Sequence, residues 1–393
     1  MTAAAVRRVG VVTVSRSDYG HLRPVLEGIR SAPDLELALF VAGMHLSPDF
    51  GLTVREIEVD GVPIAERIDM LEGGDTPEAI AASTGRGVAG FAHAFARQRP
   101  DLLVVLGDRF EMLAAAVAAL PFVLPVAHIH GGEVSEGAMD NQIRHAITKL
   151  AHLHFASAEP HARAIARMGE EPWRIHTVGA PGLDRLVDLE ALPREALALE
   201  LDLPADGPWL LVTFHPVTLE YGDTAGHIDE LLAALEKTDG TFVMSYPNAD
   251  TSGRLIIERL EEFAARHPRR CRLARSLGER LYLSLLRHAD LMIGNSSSGL
   301  IEAPSFGLPV VNIGARQRGR LRGGNVIDVE PAREDILRGI EVAQTPAFRA
   351  RARAAANPYG DGRAAPRIVE VLRTVPLDRR LVQKRFADTT GGA

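Results

Sequence analysis

The sequence predicts an α/β protein built from two doubly wound, Rossmann-like domains, and three observations carry that reading. Apolar runs of strand length recur without polar alternation, among them Leu102 to Leu106, Trp209 to Phe214 and Val310 to Ile313, as strands buried on both faces of a parallel sheet require. Helix-like segments separate these runs, and such crossovers make parallel neighbours. At 393 residues the chain exceeds the size at which single cores stop growing, and the alternation restarts after a Pro-bearing stretch at 186–208. The expected layout is therefore a first domain over 1–188 that carries candidate catalytic carboxylates, a second over 189–362, and a segment over 363–393 comprising a helix that crosses back to the first domain and a flexible tail.

Composition narrows the function classes. Hydrophobic residues make up 46% of the chain, enough to fill two cores, and a net charge of -7 supplies no general basic surface, which argues against nucleic-acid binding. Cys271 is the single cysteine, so an internal disulfide framework and a Cys-based zinc site are excluded, and a reducing compartment fits. MTAAAVRRVGVVTVS runs straight into a strand with no signal-peptide core, and no apolar run approaches the roughly 20 residues of a membrane helix. A cytoplasmic protein without a membrane partner is expected.

Each element delivers something to the strand ends. Arg8 to Val14 reads as a buried strand, and Ser15-Arg16-Ser17-Asp18-Tyr19-Gly20 leads into a helix carrying Leu22, Val25, Leu26 and Ile29, so Arg16 lies at the strand's carboxyl end. Leu35 to Ala42 is a strand followed by Gly43-Met44-His45, which brings His45 toward the same edge. Residues 73–98 read as a helix containing Gly85-Arg86-Gly87-Val88-Ala89-Gly90. That string matches the dinucleotide fingerprint, but PEAIAAST precedes it where a strand is needed, so its small residues are assigned to close helix packing. Leu102 to Leu106, a helix over Glu111 to Leu120, a strand over Phe122 to Ala127 and a further helix form the centre of the domain. Gly107-Asp108-Arg109 and the run from His128 to Glu133 should then meet at one sheet edge, where open α/β sheets bind ligands. In the second half, strands over 209–214, 242–246, 291–293 and 310–313 end in His215-Pro216, Pro247-Asn248, Gly294-Asn295-Ser296-Ser297-Ser298-Gly299 and Gly314-Ala315-Arg316. A ligand is expected in a cleft between the two domains.

The chemistry-bearing groups each have a plain structural alternative. Gly294 to Gly299 precedes an apolar helix beginning near Leu300, and a helix amino terminus attracts phosphate, although serines there also serve simply as caps. Glu302 and Arg316 alongside favour the phosphate reading. His128, His130, Glu133 and His145 have spacings that permit a metal, yet they straddle a Gly-Gly turn instead of recurring at helical offsets, so none is assigned. His128, nearest the strand, fits a hydrogen-bonded core histidine. Asp140 can cap the helix through Ile143, Ile147 and Leu150 and still take part in chemistry.

Taken together, SRSDYG, AGMH, GDRFE, HIHGGE, MDNQIRHAITK, FHP, PNAD, GNSSSGLIE and ARQRGR resemble the hydrolysing UDP-N-acetylglucosamine 2-epimerases over almost the whole chain. The resemblance implies a glycosyltransferase-B-like fold and conversion of UDP-N-acetylglucosamine and water to N-acetylmannosamine and UDP, through elimination to a glycal and rehydration, with no cofactor. It also implies a homo-oligomer, dimer or tetramer. It places the diphosphate and uridine on Ser296, Ser297, Asn248, Arg254 and Arg316, with Glu302 on the ribose. Arg16, His45, Arg109 and His215 complete the substrate contacts, and Asp108, Asp140 and His215 match groups needed for activity. Where the animal form has a third carboxylate this sequence has His130, as in a bacterial variant HIHGGE, which leaves open whether His130 or Glu133 takes that acid/base role. UDP-N,N'-diacetylbacillosamine is the alternative substrate for the same chemistry; a glycosyltransferase and a non-enzymatic UDP-sugar sensor are rivals of other classes.

Overall fold

Seven parallel strands build the first sheet of the computed structural model: β1 (Arg7–Thr13), β2 (Leu35–Ala42), β3 (Ile64–Ile68), β4 (Leu102–Leu106), β5 (Val126–Ile129), β6 (Leu153–Ala156) and β7 (Ile175–Thr177). Six more build the second: β8 (Trp209–Thr213), β9 (Thr241–Ser245), β10 (Cys271–Ala274), β11 (Leu291–Gly294), β12 (Val310–Ile313) and β13 (Val326–Val329). Residues 6–387 are described, apart from 75, 136–138, 188, 248–251 and 276. The sheets run β3-β2-β1-β4-β5-β6-β7 and β10-β9-β8-β11-β12-β13. Each therefore reverses direction beside its first strand, at β1/β4 and at β8/β11, where doubly wound sheets open a crevice at their carboxyl edge. The chain divides into one unit of Met1–Glu133, Asp140–Val187 and Tyr359–Ala393, and another of Val134–Met139 and Asp188–Pro358.

Each sheet has its own core. Central strands β1, β4, β8 and β11 are buried on both faces, as their unbroken apolar runs require. The sequence leaves β3, β10 and β13 unread because all three are sheet edges, and IAERI, CRLA and VIDV mix charge with apolar residues. The strand expected over Phe122 to Ala127 is displaced to Val126–Ile129. Leu120–Phe122 forms a short turn and Val123 adopts a left-handed φ of 54°, while Pro121 and Pro125 lack the N–H a ladder needs. His128 and Ile129 consequently lie within the strand, and the polar loop begins at His130.

The glycines at 85–90 lie inside one continuous helix, Pro77–Gln98, so no strand precedes the fingerprint. A Cβ on Gly87 would come within 2.4 Å of the Met70 methyl and 3.0 Å of the Ala114 Cβ, and one on Gly90 within 2.6 Å of Ile68. Close packing explains Gly87 and Gly90, whereas a Cβ on Gly85 would meet nothing within 4 Å. The terminal segment forms two helices, Ala364–Thr374 and Arg379–Val382, instead of one, with Pro376 between them. The first packs against helix Arg16–Ser31. Residues 388–393 of the expected flexible tail lie outside the described residues.

Buried charge ties this terminus down. Arg174, wholly buried, donates to the carbonyls of Leu381 and Arg380 at 2.8 Å each and of His152 at 3.1 Å. Glu170, also buried, receives Lys149 at 2.6 Å, Lys384 at 2.8 Å and His154 at 3.1 Å. Desolvation alone would raise the Glu170 carboxyl, but His154 and the two lysines pull it down to about 2 from 4.5. A depressed carboxyl stabilises the fold above its unfolded value and loses that contribution as pH falls through the folded one, here between pH 4.5 and about 2. Glu170→Gln should therefore cost about 3 kcal/mol at pH 7 in urea unfolding, with the gap to wild type closing as pH approaches 2. A gap that stays constant with pH rules this assignment out.

Candidate active site

At the carboxyl edge of the first sheet, β1 ends in a capping box. Asp18 accepts from the backbone N–H of Val14 at 2.7 Å and of Ser15 at 2.6 Å, and from the Thr13 hydroxyl at 3.0 Å, which sets Arg16 at the first helical position. His45 lies one layer beneath. Its Nε2 meets Thr13 Oγ1 at 3.0 Å and its Nδ1 meets Thr53 Oγ1 at 2.8 Å, with no exposed surface. Burial holds the ring below its ordinary pKa. Both nitrogens are taken, so the expectation that His45 touches substrate is corrected: it is a neutral core residue bracing the turn that carries Arg16.

The turn after β4 carries Asp108 and Arg109. Arg109 pairs through two nitrogens, 3.1 Å each, with Glu111, a fully buried carboxyl raised by desolvation and drawn back by that arginine. Sequence reading placed Arg109 on the substrate diphosphate and overlooked Glu111. Next door, His128 accepts the core role expected of it: Nε2 lies 2.7 Å from the Gly107 carbonyl and Nδ1 3.2 Å from the Thr148 hydroxyl. A carbonyl can only accept, so Nε2 carries the proton. Burial lowers this imidazole to about 3 and keeps it neutral.

Helix Asp140–Leu150 supplies the polar wall of the site. Asp140, Arg144 and Thr148 recur every four residues and so share one face. Arg144, 1% exposed, binds the Asp108 carboxylate directly, donates to the His130 carbonyl at 2.8 Å and lies 3.8 Å from Glu133. His130 Nδ1 is 2.5 Å from Glu133 Oε1, which also accepts from Ser157 Oγ at 2.6 Å. Asp108, His130, Glu133 and Arg144 thus form one cluster. Arg144 and Ser157 went unread as functional; the four-residue spacing from Asp140 was the available signal for Arg144, and Ser157 offers none. Among the described residues no group of three or more His, Cys, Asp or Glu is arranged to hold a metal ion.

The second sheet organises its edge around Asn295, which is fully buried. Its side chain accepts from the His215 N–H at 2.7 Å and donates to the His215 carbonyl at 2.8 Å, while its own carbonyl accepts from Gln317 at 2.8 Å and Arg316 at 3.2 Å. One residue, through its side-chain amide and its main-chain carbonyl, therefore ties together the ends of β8, β11 and β12. Gly294 permits the approach: at φ 137° a Cβ would fall 1.9 Å from the Thr213 carbonyl oxygen. Ser296 and Ser297 follow in this loop, half-buried, and Glu302 is buried just past them. The helix expected near Leu300 is a single turn, Ser298–Ile301, that passes into a 3₁₀ turn at Ala303–Phe306, where Pro304 breaks the N–H ladder. So short a helix has little macrodipole, and an anion here must rely on Arg316 and the serine hydroxyls. Arg254 is exposed in the first turn of helix Gly253–Arg266, and Asn248 lies outside the described residues.

With this geometry in place, comparison with known proteins is decisive. The profile of the UDP-N-acetylglucosamine 2-epimerase family matches residues 27–373. The chain belongs to this family. It is 37% identical to the UDP-N,N'-diacetylbacillosamine 2-epimerase (hydrolyzing) of Legionella pneumophila, across 96% of this chain and 99% of that protein. It is 33% identical to a UDP-N-acetylglucosamine 2-epimerase of Neisseria meningitidis, across 86% of this chain and 88% of the other. The crystal structure of the Neisseria meningitidis UDP-GlcNAc 2-epimerase bound to UDP-GlcNAc superposes with a TM-score of 0.80 at 17% identity, covering 93% of this chain and 99% of that one. The 2-epimerase is thus an enzyme of two glycosyltransferase-B-like α/β domains. No helix among the described residues is long and apolar enough to cross a membrane.

Asn295→Ala deletes the two buried side-chain hydrogen bonds to His215 and leaves its N–H and carbonyl without those partners, each such group costing about 1–3 kcal/mol. The variant should melt several degrees below wild type and bind UDP at least tenfold more weakly by calorimetry; unchanged UDP affinity would detach this hub from nucleotide binding.

Proposed function

We propose that this epimerase converts a UDP-2-acetamido sugar and water into UDP and the free 2-epimeric sugar. The observation that carries the reading is the grouping on one sheet edge of the Asp108 carboxylate and the His130 carbonyl around Arg144, with the His130 imidazole on Glu133 and Asp140 on the same helix face as Arg144. A C2 hydrogen of a pyranose has no neighbouring carbonyl, so no carboxylate removes it from the resting sugar. Departure of UDP develops positive charge at C1 and acidifies that hydrogen, which lets Asp108 or Asp140 complete elimination to a glycal. Water then adds at C1, and a second acid delivers hydrogen to C2 from the opposite face. The sequence of steps changes no net oxidation state, so it calls for no redox cofactor.

Ser296, Ser297, Arg254 and Arg316 are assigned to the nucleotide, with Glu302 on the ribose; Arg16, Arg109 and His215 are assigned to the departing diphosphate, where cations stabilise developing charge. UDP-N-acetylglucosamine is the sugar that the family resemblance puts first. One observation favours the alternative, UDP-N,N'-diacetylbacillosamine: the Legionella pneumophila relative named for that substrate is more similar, at 37% identity, than the Neisseria meningitidis relative named for UDP-N-acetylglucosamine, at 33%. Incubation with each UDP-sugar should give the higher kcat/KM for the diacetylated one; the reverse order returns the assignment to UDP-N-acetylglucosamine.

Turnover in heavy water tests the elimination itself. The released sugar should carry deuterium at C2 and labelled water oxygen at C1, whereas simple hydrolysis retains the original C2 hydrogen and configuration. Asp108→Asn and Asp140→Asn should each lower turnover by about 100-fold to 10,000-fold while retaining UDP binding. Near-normal turnover in either variant removes that residue from the mechanism.

A further inference from the structure

His130 is held in an unusual way. Its backbone is left-handed, with φ 64°, a conformation that costs a residue bearing a side chain about 1–2 kcal/mol and survives only where surrounding bonds over-determine it. Three bonds do so: the His130 N–H donates to the Phe155 carbonyl at 3.1 Å, its carbonyl accepts from Arg144 at 2.8 Å, and its Nδ1 meets Glu133 at 2.5 Å. Glu133 is itself fixed. It is 1% exposed, accepts from Ser157 at 2.6 Å, and Ser157 Oγ lies 2.8 Å from His161 Nδ1. A carboxylate so enclosed orients the group it binds and does not itself meet a sugar, while the imidazole it grips keeps Nε2 as its second functional nitrogen.

From this geometry we infer that Glu133 is a positioning residue that holds His130 as the acid delivering the new hydrogen to C2, through His130 Nε2. The inference rests on the proposed elimination and resolves which member of the HIHGGE pair acts. In the step, the N–H bond at His130 Nε2 breaks and a C–H bond forms at C2 of the glycal. Water oxygen bonds to the C1 cation so formed and releases one proton, solvent restores the imidazolium, and the carboxylate that took the original C2 proton returns it to solvent. The Glu133 carboxylate offsets the imidazolium charge before transfer and fixes the tautomer with Nδ1–H facing it.

A double-mutant cycle tests this on the full-length enzyme. Glu133→Gln should lower kcat about 10-fold to 100-fold with KM within about twofold, and should raise the share of free glycal among products, because elimination proceeds while reprotonation stalls. His130→Gln should do the same more strongly. In the His130→Gln background, Glu133→Gln should add less than about threefold, since its effect runs through the imidazole already removed. Glu133→Asp, which keeps the charge, should recover part of kcat and takes the place of the Gln variant if that one does not fold. Additive losses in the cycle, or lost activity with no rise in glycal, overturn the Glu133 assignment and leave the parent reaction standing. Absence of C2 deuterium in the wild-type product overturns the parent reaction, and this inference with it.

Discussion

A single buried guanidinium holds the first-sheet site in register. Arg144 reaches the Asp108 carboxylate on the turn after β4, the His130 carbonyl on the loop after β5, and the vicinity of Glu133, all from one helix. Burying an arginine is costly unless carboxylate and carbonyl partners surround it, and a planar fork of donors is the side chain suited to satisfying several at once. The same helix face carries Thr148, which bonds His128, and His128 in turn holds the Gly107 carbonyl. Two loops from neighbouring strands are thereby fixed through one helix, and reactive groups gain their placement from residues that perform no chemistry.

The second sheet reaches the same end by neutral means. Asn295 joins three strand ends with amide and backbone bonds, and Gly294 makes room where any side chain would collide with the Thr213 carbonyl. An amide there sets loop shape without adding charge. Both sheets share one topological device: the strand order reverses beside the first strand, at β1/β4 and at β8/β11, where doubly wound sheets open a crevice.

Much of this was legible in the chain itself. Unbroken apolar runs give the central strands because a strand covered on both faces has no reason to alternate, and β2, β4, β6 and β12 fall where those runs lie. Edge strands β3, β10 and β13 escaped because their exposed edges tolerate charge. Phe122 and Val123 misled for a related reason: apolar residues read as strand, but flanking prolines deny the ladder its donors and the pair remains exposed, at 42% and 64%.

For the candidate site, sequence alone picked out the segments proposed to carry it, since Asp108, His130, Glu133, Asp140 and the GNSSSG run all follow buried strands or open helices. It pointed to the family as well, because motifs spread over nearly the whole chain resemble it, and the family match spans residues 27–373. Tertiary structure decided what each group does with its neighbours. His45 is sealed against Thr13 and Thr53, Arg109 is engaged by Glu111, and Glu133 faces His130 and Ser157 instead of solvent. Those partners lie as many as 32 residues apart in sequence. Periodicity records which face of an element is apolar, but the hydrogen-bond partner of a buried polar atom is set by how separate elements pack, and no local pattern encodes it.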